Sequence, residues 1–175
     1  DATGEIASRT SVGTTQSVTS DSSGDVTYTA SLPPLNGSLA YIGVAYADIQ
    51  LTNNTDPLGA ATYGIDAINE FHIYYDLSAT YSGNGGGGVN AFWFFPGADT
   101  TADSNEGYAL GSVNTGVGQV LSFQSEDLYA QSGRAPLLLN GETGTLRFEF
   151  FSVNSGANTS TATVNLSNIS ITAVV

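Results

Sequence analysis

The chain contains no cysteine, no methionine and no lysine. Without cysteine there are no disulfide staples and no thiolate metal centres, so a packed core, with any bound ions, has to hold the fold. A single histidine, His72, excludes the usual multi-histidine zinc sites as well. Positive charge is scarce: Arg9, Arg134 and Arg147 stand against 16 carboxylates, for a formal net charge of -13. That balance excludes nucleic acid as a partner, since phosphate binding needs clustered lysine and arginine to release counterions. It equally disfavours anionic membrane surfaces. No apolar run approaches the roughly 18–20 residues that span a bilayer, so membrane insertion is not expected. The chain opens on Asp1-Ala2-Thr3-Gly4-Glu5, with no basic segment followed by an apolar one. This reads as a mature terminus after removal of an export signal. The absence of oxidisable sulfur would suit a long-lived extracellular material.

What is present points to β structure. The 175 residues are 41% apolar, enough for one core in one domain. Residues 1–24 are rich in Ser, Thr and Gly, with Ile6, Val12 and Val18 too far apart for a helix face; they read as an N-terminal arm. A single β-sandwich domain is expected over 25–175. Val26 to Leu32 alternates and stops at Pro33-Pro34 before an Asn36-Gly37 turn, which predicts a strand. Apolar parity shifts twice between Ser38 and Leu51, predicting a long bulged strand, and Ala67 to Tyr81 predicts another. The run Ser82-Gly83-Asn84-Gly85-Gly86-Gly87-Gly88 predicts a flexible connection rather than a regular element. Val89 to Pro96 carries apolar residues on both faces, so its strand should be covered on both, with Trp93 in the core.

Further strands are predicted near Tyr108–Val113, Gln119–Phe123 and Leu137–Leu139. Only Ser125 to Gln131 reads as a helical turn. At the C-terminal end, Leu146, Phe148 and Phe150 alternate against Arg147 and Glu149, and Thr161 to Val175 alternates with a phase flip near Ser167-Asn168 that predicts a bulge. Eight or nine strands without helical periodicity predict an all-β, two-sheet antiparallel sandwich of jelly-roll type with an extended N-terminal arm.

The chemistry-bearing residues are few. A catalytic triad around His72 would need a nucleophile and an orienting acid, and no nucleophile-elbow motif supplies them, so the chain is not expected to be an enzyme. The loop Asp99-Thr100-Thr101-Ala102-Asp103-Ser104-Asn105-Glu106 alternates oxygen-bearing side chains. It gives Asp99, Thr101, Asp103, Asn105 and Glu106 as candidate calcium ligands, without the sixth-position glycine of an EF-hand. Five N-x-[ST] sequons, at Asn36, Asn53, Asn158, Asn165 and Asn168, are candidate glycosylation sites. Tyr74, on the strand face opposite Ile73 and Tyr75, is a candidate ring for stacking on a glycan.

The segment Gly144 to Phe150 with Thr161 to Val174 resembles the closing strands of secreted jelly-roll modules. Among these are carbohydrate-binding modules and exported surface proteins with a Pro-Glu-Pro sorting signal. The polar arm followed by an acidic, cysteine-free β domain resembles archaeal extracellular tubule (cannula) subunits. That resemblance implies a homo-polymer built by strand exchange with calcium at subunit interfaces. The expectation is therefore a structural subunit of an extracellular filament, tubule or matrix. The alternative is a secreted, lectin-like carbohydrate-binding module.

Overall fold

In the computed structural model the chain is a jelly-roll β sandwich. It describes residues 4–10, 15–34, 41–54, 67–101 and 105–174, with the backbone alone given for 4–10 and 41. Among the described residues twelve strands are present: β1 (Gly4–Thr10), β2 (Thr15–Ser20), β3 (Val26–Leu32), β4 (Tyr41–Thr52), β5 (Ala67–Ile68), β6 (Glu70–Tyr81), β7 (Gly85–Phe94), β8 (Tyr108–Ser112), β9 (Gly116–Gln124), β10 (Leu138–Leu139), β11 (Thr143–Asn154) and β12 (Ser160–Val174). Among the described residues one helix, α1 (Ser125–Ser132), is present, and it follows β9 directly. Sheet 1 has the order β1-β4-β11-β7-β8 and sheet 2 the order β2-β3-β12-β6-β9, while β5 and β10 form a small ribbon. The pairings are antiparallel.

The core lies between the sheets, as the alternation in β6, β11 and β12 requires. Trp93 is its largest fully buried side chain and meets Phe71 and Phe123 at 5.5 and 5.4 Å between ring centres. Tyr28 stacks on Phe150 at 5.6 Å and shares a 2.7 Å hydrogen bond with Ser152 Oγ.

Four sequence expectations change. Residues 1–24 contribute β1 and β2, which in this chain edge the two sheets on the same side of the sandwich, so strand structure begins before Asp25. In β4 the register with β11 runs unbroken from Tyr41 to Thr52, so no bulge produces its parity shift. The shift arises because both faces are covered: Ala45 and Ala47 face the core, while Tyr46 and Asp48 are buried on the other side. The glycine run is not a flexible connection: Gly85–Gly88 belong to β7 and pair with Asn154–Phe151. A Cβ on Gly87 would sit 2.1 Å from the Phe151 carbonyl oxygen, so the missing side chains let two backbones approach. The expected strand at Ala67 is interrupted at Asn69, and β6 begins at Glu70.

The predicted bulge in β12 is present. The register against β6 shifts between Ser167 and Ser170, and Asn168 holds φ 52. Asn is among the few non-glycine residues that adopt this left-handed conformation readily.

Candidate functional site

Each sheet has an outer face turned away from the core, and alternation decides which side chains reach it. On sheet 1 the outer row of β11 is Arg147, Glu149 and Phe151; that of β7 is Asn90, Phe92 and Phe94; that of β4 is Tyr46 and Asp48. Arg147 Nε and Nη2 each donate to an Asp48 carboxylate oxygen at 2.6 Å. The guanidinium lies 4.7 Å from the ring centres of both Tyr46 and Phe94. It also donates to the Thr100 carbonyl, which ties the acidic loop down onto this face. Arg147 is only 3% exposed and Asp48 4%, although neither belongs to the inter-sheet core. The sequence pattern places Arg147 outward but gives no sign that the outer face is covered.

One step along β11, Glu149 Oε1 accepts a 3.2 Å hydrogen bond from Asn90 Nδ2, and Asn90 Oδ1 accepts one from Ser112 Oγ at 3.3 Å. Phe92 and Phe151, in the rows on either side of this polar group, are half-buried.

On sheet 2 the outer row of β6 is Glu70, His72, Tyr74 and Asp76. His72 Nε2 lies 3.0 Å from Glu70 Oε1, and its Nδ1 lies 2.8 Å from Ser122 Oγ on β9. The fold thus brings to His72 the hydroxyl and the carboxylate that no sequence motif supplies. Ser122 is 50 positions away in the chain, and only the pairing of β6 with β9 makes it a neighbour. Tyr74 is 41% exposed and lies directly opposite Val120, itself 47% exposed.

The predicted calcium loop is closed on itself where it is described. Asp99 Oδ1 accepts from the Thr101 N–H and Oδ2 from Thr101 Oγ1, while the Asp99 N–H donates to Glu106 Oε2 at 2.8 Å. The fold thus brings Asp99, Thr101 and Glu106 together; Asn105 is exposed, and Asp103 lies outside the described residues. Among the described residues no three acidic, histidine or cysteine side chains are grouped to hold a metal.

The sequons divide by burial. Asn53 is 1% exposed and donates its side-chain amide to the Leu138 carbonyl, so the folded chain cannot present it for glycosylation. Asn158, Asn165 and Asn168 are exposed, and Asn36 lies outside the described residues. Asn168 Nδ2 also donates to Asp76 Oδ2. The Gly118 N–H, with this amide, holds the Asp76 carboxyl below its usual range.

The strand edges are the other candidate surface. Among the described strands β1 has β4 as its one partner, in register from Gly4↔Ile49 to Thr10↔Gly43. Beside β4, a cavity of about 770 Å³ opens between the sheets, lined by Ala47, Ile49, Leu51, Phe71, Ile169 and Ile171 among others. β12 forms its border: β3 pairs with it only from Ser160 to Leu166, so beyond the bulge β12 keeps β6 alone as a partner among the described strands.

No family model and no curated protein matches the chain. Solved structures do. The native family 12 xyloglucanase from Bacillus licheniformis is 11% identical, with a TM-score of 0.47 over 97% of this chain and 100% of that one. A family 11 xylanase from Neocallimastix patriciarum is 10% identical, with a TM-score of 0.37 over 97% of this chain and 95% of that one. These likenesses concern the fold, a β-rich jelly roll. The sequence reads as that of a chain that is not an enzyme; against that expectation, the solved structures it is similar to are a xyloglucanase and a xylanase.

Proposed function

We propose that the chain is a structural subunit of an extracellular filament, tubule or matrix, assembled with copies of itself by exchange of the N-terminal strand. The observation that supports this reading is the position of β1. It is first in the described chain, lies at a sheet edge and, among the described strands, is hydrogen-bonded to β4 alone. Removing it breaks one ladder and leaves intact the ladders on both sides of the central strands β11 and β12. The β4 edge it vacates would accept the same seven residues from a neighbour in the same register, which makes exchange cheap in free energy. Because each subunit donates one strand and accepts one, the contact is head-to-tail and propagates unless a ring closes.

Deleting residues 1–10 tests this. The shortened chain should fold and remain monomeric, while the full chain forms high-mass polymers under negative-stain microscopy. Polymers from the shortened chain, or none from the full chain, would overturn the reading.

A subunit carrying -13 repels its copies, and calcium at acidic sites such as Asp99 and Glu106 would relieve that repulsion on assembly. Millimolar calcium should therefore promote polymerisation more than sodium chloride of matched ionic strength, as followed by light scattering. Equal effects would reduce the ion's part to screening.

One observation favours a carbohydrate-binding role instead. The polar group Glu149, Asn90 and Ser112 lies between the half-buried rings of Phe92 and Phe151, and polar side chains beside apolar rings suit a sugar. A chain that stays monomeric and is retarded in a glycan-containing gel would shift the reading to this one.

A further inference from the structure

We propose that Glu70, His72 and Ser122 form a hydrolytic relay on the outer face of sheet 2, with Ser122 as nucleophile toward esters bearing an aryl or short apolar group. The inference is separate from the assembly reading and concerns a different face of the sandwich.

The geometry fixes the roles. Glu70 Oε1 at 3.0 Å from His72 Nε2 favours the neutral tautomer that carries its proton on Nε2 and donates it to the carboxylate. In that tautomer Nδ1 bears the lone pair, and it faces Ser122 Oγ at 2.8 Å, within reach for taking the hydroxyl proton. The two ring nitrogens thus do different work, one oriented by the acid and the other acting as base. The logic is that of an acid–histidine–serine triad, which is recognised by geometry and roles rather than by chain order.

The three residues stand on rigid elements. β6 is held between β12 and β9, and the register Glu70↔Gln124, His72↔Ser122, Tyr74↔Val120 keeps the group in adjacent rows of one face. His72 and Glu70 side chains are each about one-third exposed (30% and 31%), so a substrate can reach them.

Two surrounding features define the substrate. Tyr74 and Val120, both exposed, occupy the next row on the same face, roughly 7 Å along the strands at about 3.3 Å per residue. They offer an apolar seat for an aryl or short acyl group beside the hydroxyl. β9 is an edge strand whose one partner among the described residues is β6. Alternate backbone N–H groups therefore point out of the sheet, and one of them lies within a residue of Ser122, where it can donate to an oxyanion.

The reaction balances with water as co-reactant. Ser122 Oγ bonds to the carbonyl carbon while its proton passes to His72 Nδ1. The ester C–O bond then breaks, and the leaving alkoxide takes that proton. Water attacks the acyl carbon, gives a proton to His72, and the proton returns to Ser122 as the acid is released.

The test is a fluorophosphonate probe on the full chain, followed by intact mass and peptide mapping. Labelling forms an Oγ–P bond on Ser122 and releases fluoride, with His72 taking the proton. One adduct per chain at Ser122 is expected, absent in Ser122→Ala and slowed at least tenfold in His72→Gln. Glu70 acts through His72 as a positioning residue. Glu70→Gln should slow labelling severalfold and Glu70→Asp should restore part of it, with melting temperature unchanged in both. No adduct, an adduct elsewhere, or labelling at Ser122 that His72→Gln leaves undiminished would overturn the proposal.

Discussion

Replacing Arg147 with alanine should cost about 3–5 kcal/mol of folding stability, because it leaves the Asp48 carboxylate buried without its partner. The pair is bidentate, with both bonds at 2.6 Å and both side chains nearly inaccessible, so water cannot replace the lost donors without opening the face. The two flanking rings at 4.7 Å add cation–π attraction, of order 2 kcal/mol in a desolvated setting. Loss of the guanidinium also frees the Thr100 carbonyl and with it the anchorage of the acidic loop. The informative control is the double variant Asp48→Leu/Arg147→Met, which removes both charges and keeps apolar volume between the rings. It should recover most of the loss, since well-packed apolar replacements of buried ion pairs are often neutral or better. Urea denaturation of the two single variants and the double variant completes a cycle. A single Arg147→Ala loss below about 1 kcal/mol would mean the pair is solvated in practice and the outer face is open.

The second large effect is expected at Gly87. A Cβ there would lie 2.1 Å from the Phe151 backbone oxygen and 3.0 Å from the Tyr81 ring, and a backbone atom cannot step aside without opening the β7–β11 ladder. Gly87→Ala should destabilise by about 3 kcal/mol. At about 2–4 °C per kcal/mol for a chain of this size, the melting temperature should fall by roughly 6–12 °C. At the neighbouring Gly86 nothing lies within 4 Å of where a Cβ would stand, so Gly86→Ala should be neutral or slightly stabilising through the unfolded state. Similar losses for both would mean that strand entropy, and not the close approach of β7 to β11, sets the effect.

These two sites show where the sequence is legible. Strict alternation in Leu146, Phe148 and Phe150 and in Ala162, Val164 and Leu166 identifies the central strands because one face of each is core and the other is not. Wherever both faces are covered, that contrast disappears, and the parity of β4 imitates a bulge. The glycines of β7 mislead for the opposite reason: composition reports backbone freedom, whereas here the missing side chains serve a contact with a strand more than 60 positions away. The relay at His72 is out of reach for a third reason. Its serine and its acid are assembled by register and by alternation together, and neither carries a local motif.

The order of strands also sets when the fold can form. β11 and β12, the last two of the described strands, are the middle strands of their sheets: β4 and β7 meet only through β11, and β3 and β6 only through β12. A nascent chain that has emerged as far as residue 142 therefore holds the outer strands of both sheets with nothing to join them. Closure of the four ladders that β11 and β12 make waits for these two strands, so the contacts that join each sheet are of high contact order. Until then β4, β7, β3 and β6 each keep one edge without the strand that covers it in the folded sheet, and those edges are where a half-made chain is open to pairing with another.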